Sequence, residues 1–168
     1  MTNPIIEIKV KGMGTMTAEL YPAVAPKTVA NFLKLANSGF FSGLIFHRVI
    51  KGFMIQGGGY TEDMGETDAD SIKGEFKANG FMQNDLKHTR GVLSMARTSD
   101  PNSASSQFFI MHMDAPHLDA QYAGFGKVTE GLEVLDAIAS VKTGSYGWYM
   151  QDVPKTPVVI ESIEVVSQ

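Results

Sequence analysis

The sequence predicts a mainly β chain, a barrel or sandwich of short strands with its open ends covered by two helices. Two observations carry that expectation. Most apolar residues fall in short segments rich in β-branched and aromatic side chains, each bounded by Gly, Pro, Asn, Asp or Ser. Two segments instead repeat their apolar residues at helical spacing. A strand-rich chain with two amphipathic helices buries every apolar face when the helices close the ends of the sheet structure.

Taken in order, "IIEIKVKG" and "GTMTAELYP" alternate around a turn near Gly12 and Gly14, the pattern of a hairpin. In "APKTVANFLKLANSGF", Val29, Phe32, Leu33 and Ala36 fall at i, i+3, i+4 and i+7; Pro26 suits the first turn and Gly39 the C-terminal end. "GLIFHRVI" and "GFMIQGG" read as strands. Residues 60–90 form a long polar connection, and a loop of that length in a compact domain is often functional. "GVLSMAR", "SQFFIMHM" and "YAGFGKV" follow as strands. The second helix is expected in "TEGLEVLDAIASV", capped by Thr129, with Glu130 and Glu133 at its positive end and Val134, Leu135, Ile138 and Val141 as its apolar face. "YGWYM" at 146–150 reads as a surface loop without a site role, and "PVVIESIEVV" as the closing strand. With no linker, repeat or low-complexity tract, residues 1–168 are expected to form a single domain.

Composition removes several functions. A net charge of −4 argues against nucleic acid or an anionic membrane as the main partner. The absence of cysteine excludes disulfides, thiolate catalysis and zinc–thiolate sites. The N-terminus lacks a signal-peptide pattern, and no apolar run approaches the ~18 residues of a membrane span. The expectation is a soluble cytoplasmic protein. No apolar heptad or long free strand points to a stable oligomer, so a monomer is expected.

Familiar catalytic signatures are missing: no G-x-S-x-G elbow, Walker loop or Rossmann glycine pattern occurs. His112 and His117 are five apart, the wrong spacing for one helix face, and adding His47 and His88 gives no recognisable metal set. No metal and no cofactor are expected. Glycines 57–59 precede no basic helix start, so a tight bend at a strand end is favoured over a phosphate cradle.

Strand alternation is more informative. In "SQFFIMHM", Gln107, Phe109 and Met111 share one face and Phe108 and Ile110 the other; in "GFMIQGG", Met54 and Gln56 lie opposite Ile55. Each strand has one fully apolar face and one that mixes an amide with an aromatic or a methionine. The mixed face fits an apolar pocket with a few orienting polar groups. It also fits a barrel exterior, and alternation alone leaves both open.

"FHRVIKGFMIQGG" resembles the signature around the catalytic arginine of the cyclophilins. "LSMAR", "SSQFFI", "FGKVTEGLEVLD" and the opening "GTMTAELYPAVAPKTVANFLKLANSGFFSGLIFHRV" resemble further blocks of that family in the same order, so the resemblance spans nearly the whole chain. The loop and the ending "QDVPKTPVVIESIEVV" are similar to short prokaryotic members. The resemblance implies a closed eight-stranded antiparallel barrel capped by two α-helices. It implies a peptidyl-prolyl cis/trans isomerase assisting protein folding, acting on proline-containing peptides and on unfolded or folding proteins.

Carried over by position, the resemblance makes Arg48 the catalytic donor. Phe53, Met54, Phe109 and Leu118 would wall the proline pocket, Gln56 would orient Arg48 or a substrate carbonyl, and Gln107 would add a polar contact. Ala96, Arg97 and Thr98 would line the strip beside the residue preceding proline. Alternation turns His47 away from Arg48, giving it a structural place. The chain departs from the best-known eukaryotic pattern at three positions, His117 for a tryptophan, Tyr122 for a histidine and Arg97 for an asparagine, and the resemblance still implies that all three are substrate-binding. "RTSDPNSASSQ" is also one residue longer than the common spacing. Because that tryptophan contributes to cyclosporin binding in the family, reduced cyclosporin affinity is implied. The competing reading is a proline-peptide binding module or chaperone with incidental turnover. Retention of Arg48 favours the enzyme, since a pure adaptor has less need of a transition-state donor.

Overall fold

The computed structural model describes residues 3–147 and 150–167. The first hairpin forms as expected, β1 (Ile5–Val10) against β2 (Gly14–Leu20), with Ile6, Ile8, Met16 and Ala18 buried on its inner face. β3 (Arg48–Ile50), β4 (Met54–Gly57), β5 (Val92–Met95), β6 (Phe108–Met111), β7 (Gly124–Glu130) and a late strand, Ile160–Ser167, complete one antiparallel sheet. Between β7 and that late strand lies a separate hairpin, β8 (Thr143–Tyr146) with β9 (Met150–Pro154), which makes the late strand β10. The segment expected as a loop, 146–150, falls at this hairpin, and Trp148 and Tyr149 lie outside the described residues.

The sheet order is β10-β1-β2-β7-β5-β6-β4-β3, so eight strands curl until the first and last approach each other. The expected closed barrel needs one correction at that seam. Phe46 N–H donates to Val158 O (3.0 Å) and Ile160 N–H to Leu44 O (2.7 Å), around an isolated bridge at Ile45 and Val159. The seam is bridged but has no continuous ladder. Its cause is divided bonding: Ile45 N–H turns the other way, to Tyr60 O at 2.9 Å. This is also why the strand expected over 43–50 shortens to β3.

Two helices, α1 (Pro26–Asn37) and α2 (Leu132–Ala139), press their apolar faces into the same core. Phe32 of α1 meets Phe41, Phe108 and Phe125 at ring-centroid distances of 4.9, 5.3 and 5.2 Å. Val134, Leu135 and Ile138 supply the α2 face. The expected Thr129 cap is not used. Thr129 and Glu130 continue β7, where Thr129 Oγ1 donates to Thr17 O at 3.3 Å, and Gly131 begins the helix at φ +90°. A Cβ at Gly131 would strike the Thr15 carbonyl, so β2 dictates both the glycine and the late start.

The long connection 60–90 is more than a polar loop. Phe76 joins the core, and Glu75, Asn84 and His88 are buried in it. α1 has no capping side chain of its own. Glu75 replaces one from 47 residues away, its Oε1 accepting from Thr28 N–H and Thr28 Oγ1–H, both at 2.7 Å. A carboxylate at the positive end of a helix satisfies donors that the helix itself cannot.

Candidate active site

In antiparallel pairing, residues directly opposite each other share a face. The registers Arg48↔Gln56, Gln56↔Phe109 and Phe109↔Ser94 therefore place Arg48, Gln56, Phe109 and Ser94 in one row across β3, β4, β6 and β5. The neighbouring row, Val49, Ile55, Ile110 and Leu93, faces the main core. The face outside the main core carries a second apolar cluster of Met54, Val92, Phe109, Met111, Ala115 and Leu118. The mixed faces read from alternation are thus pocket wall, not bare exterior.

That wall opens into a cavity of about 150 Å³ lined by Arg48, Phe53, Met54, Gln56, Ala96, Arg97, Phe109, Leu118 and Tyr122. This is well below the ~300–1,000 Å³ of clefts that engulf a drug-sized ligand. It suits one side chain or ring. Leu118 arrives on a short 3₁₀ turn, Pro116–Leu118, and Tyr122 meets Phe109 edge to face at 5.7 Å. A second concavity adjoins the first. It shares Gln56, Ala96 and Arg97 and adds Thr98 and Gln107, together with Glu66, Thr67, Ser103 and Ser105, which sequence reasoning did not single out. His117 lines neither; it stacks on Phe53 at 5.9 Å, at the rim.

The polar groups are held in series. Arg48 Nη1–H donates to Gln56 Oε1 at 3.2 Å, and Gln56 Nε2–H to Gln107 Oε1 at 2.9 Å. A Cβ at Gly59 would overlap the Gln107 side chain, so that glycine makes room for the series. Arg48 is solvent-exposed and has no carboxylate within ion-pair distance among the described residues.

Two histidines support the site from behind, and neither role is written in local sequence. His112 Nδ1 accepts Gly52 N–H (2.8 Å) at the tip of the β3–β4 hairpin, so its proton sits on Nε2, which donates to Asp136 Oδ1 (3.0 Å). Arg90 grips the same carboxylate with two bonds of 2.7 and 2.9 Å and holds its pKa below the ordinary carboxylate range. His88 lies between Asp119 (Nδ1 to Oδ1, 3.2 Å) and Ser94 (Nε2 to Oγ, 2.8 Å) and stacks on Phe109. Ser-His-Asp contacts of this kind can activate a nucleophile. Here Ser94 is 0 % exposed, so the trio braces the pocket floor and cannot meet a substrate.

His47, next to Arg48, points inward as alternation required. It is buried against the Tyr60 ring, and its Nδ1 has no hydrogen-bond partner among the described residues. Burial, with a smaller push from Arg48, lowers its pKa to about 4. An unfolded histidine titrates near 6.5, so between the two values the unfolded chain binds the extra proton. Stability is complete above pH ~6.5 and falls as the pH drops towards 4, by up to about 3 kcal/mol from this residue. Burial lowers the His88 pKa too, against the opposing pull of Asp119, which adds to the same trend. Urea unfolding at pH 7 and pH 4.5 reads the loss, and His47→Gln is expected to reduce it to the share left by His88. An identical slope in that variant would assign the acid sensitivity elsewhere.

Comparison with known proteins gives the family and the fold. The family model described as "Cyclophilin type peptidyl-prolyl cis-trans isomerase/CLD" matches residues 5–165. A peptidyl-prolyl cis-trans isomerase of Acinetobacter baylyi is 46 % identical, over 99 % of this chain and 88 % of its own length. Among solved structures, a cyclophilin type peptidyl-prolyl cis-trans isomerase of Cryptosporidium parvum superposes with a TM-score of 0.84 at 30 % identity, covering 99 % of both chains. A further structure of that protein, in the presence of the dipeptide Ala-Pro, gives 0.80 at 31 % identity, covering 98 % of this chain and 99 % of that one. An arginine lining a ring-sized pocket with apolar walls, a barrel with two helices and these matches lead to one assignment: the chain belongs to the cyclophilin-type peptidyl-prolyl cis-trans isomerase family.

Proposed function

We propose that this protein accelerates cis/trans exchange of X–Pro bonds in peptides and unfolded chains, with the proline ring in the apolar cavity and Arg48 as the donor that favours the twisted amide. The observation that carries this reading is Arg48 itself, a cation tethered to Gln56 at the mouth of the cavity, with no carboxylate within ion-pair distance among the described residues. A peptide bond resists rotation because nitrogen shares its lone pair with the carbonyl, a barrier of ~18–20 kcal/mol. At the twisted transition state that sharing is lost and the prolyl nitrogen regains a lone pair. A donor aimed there binds the transition state better than either planar ground state. The reaction needs no proton transfer, nucleophile or cofactor, and Phe53, Met54, Phe109 and Leu118 give the proline ring apolar walls to pack against. The Ala-Pro present with the Cryptosporidium parvum protein supports a proline-containing ligand. We place the protein in the cytoplasm as a monomer serving folding chains.

NMR exchange or a protease-coupled assay on a short X–Pro peptide tests the function. Catalysed exchange is expected, against the tens to hundreds of seconds of the free peptide. Peptide binding without faster exchange would favour the adaptor reading. Cyclosporin tests the rim. His117 offers less apolar area than an indole and no indole donor, so His117→Trp is expected to tighten cyclosporin by tenfold or more while changing peptide turnover modestly. Inhibition of both proteins under one set of conditions decides it; equal inhibition would remove His117 from the ligand surface.

A further inference from the structure

Arg97 is the most constrained cation in the site. Its guanidinium lies 4.8 Å from the ring centroids of both Phe76 and Tyr122. Its Nε–H and Nη2–H donate to Gln121 O at 3.3 and 2.8 Å, and its Nη1–H donates to Thr98 O at 2.9 Å. Every one of these partners is neutral. No carboxylate lies within ion-pair distance of Arg97 among the described residues. Two rings and two carbonyls thus hold a full positive charge in one place without cancelling it.

Its place gives that charge a consequence. Arg97 lines both the ring-sized cavity and the adjoining concavity, so a peptide whose proline fills the first and whose chain continues into the second passes beside it. The first cavity holds two guanidiniums, Arg48 and Arg97, and no acidic residue. The second holds a single carboxylate, Glu66, which accepts from Tyr60 O–H at 3.4 Å. Taken together, the linings of the two concavities carry two guanidiniums and one carboxylate, a net positive charge beside the residue before the proline in a chain whose net charge is −4.

We infer that Arg97 is a specificity-determining residue that makes the enzyme favour peptides with an acidic residue immediately before the proline. The inference rests on the isomerase reading above, with the proline in the ring-sized cavity and the preceding residue beside positions 96–98. Arg97 acts by charge at a distance: its best donors are already bonded, so the preference is electrostatic and weakens with salt.

The test uses matched peptides that differ only before the proline, with Glu, Gln or Lys, and a fourth with Glu just after it. The readout is the ratio of kcat/KM for Glu-Pro over Gln-Pro, because a ratio cancels any general loss from disturbing Tyr122. In the wild type it is expected to be about threefold to tenfold, the effect of one unit charge some 6–8 Å away at an effective dielectric of about 40–80, as for a solvent-exposed pair, with Lys-Pro below Gln-Pro. Raising the ionic strength to 0.5 M is expected to shrink it. In Arg97→Gln it is expected to fall to about one, and Arg97→Lys is expected to restore part of it. A wild-type ratio of one or less, a preference for Lys-Pro set by Glu66, a preference only for Glu after the proline, or a ratio that survives in Arg97→Gln would each overturn the inference. Failure to accelerate any of the peptides would instead sink the isomerase reading, so the two failures are distinct.

Discussion

Replacing Arg48 by alanine is expected to lower kcat/KM for X–Pro exchange by about 10²–10³, while the affinity for a proline peptide changes far less. Arg48 is solvent-exposed and one of its donors is spent on Gln56 Oε1 at 3.2 Å. The remaining donors are available to a substrate. A ground-state prolyl nitrogen has no lone pair to offer, so these donors gain a partner only as the amide twists. Losing one preorganised transition-state donor costs about 3–4 kcal/mol, which is the stated rate loss. The apolar walls remain in the variant, so ring burial and peptide binding persist. Exchange rates and peptide affinity measured on the same protein separate the two effects. A variant within about threefold of wild type would remove Arg48 from the mechanism.

Phe108→Ala is expected to destabilise the fold by about 3–5 kcal/mol, the range for truncating a buried aromatic. Phe108 is fully buried and meets Phe32, Phe41 and Phe46 edge to face at 5.3, 5.7 and 6.0 Å. It thus joins α1, the segment before β3 and the sheet in one contact set. Close packing leaves those rings no cheap way to fill the void. Typical domains have only about 5–15 kcal/mol to lose. Urea unfolding is expected to show a lower midpoint at an unchanged slope. A loss below about 1 kcal/mol would mean that the rings collapse onto one another and that this cluster does not anchor the barrel.

Much of the site was legible because strand alternation is a local property. Met54, Gln56, Phe109 and Met111 on one side, with Ile55, Phe108 and Ile110 on the other, follow from a period of two that no tertiary contact alters. The inward turn of His47 was read the same way. Glu66, Thr67, Ser103 and Ser105 were missed because they sit on irregular segments, where no periodicity marks a facing side. The β8–β9 hairpin was missed because its strands bury little apolar surface.

By itself, the sequence determined that short strands and two amphipathic helices would build a mainly β fold, and which face of each site strand would carry the pocket. Those are consequences of backbone period and side-chain polarity within a few residues. Only the tertiary structure decided where α2 begins, since β2 holds Thr129 and Glu130 in β7. It also decided that Glu75 would cap α1, that His112 and Asp136 would tether the hairpin tip, and that the seam between β3 and β10 would be bridged without a full ladder. Each depends on a group tens of residues away finding an unsatisfied donor or acceptor. A buried polar group must be paired wherever its partner comes from, and the folded chain alone specifies which partner is within reach.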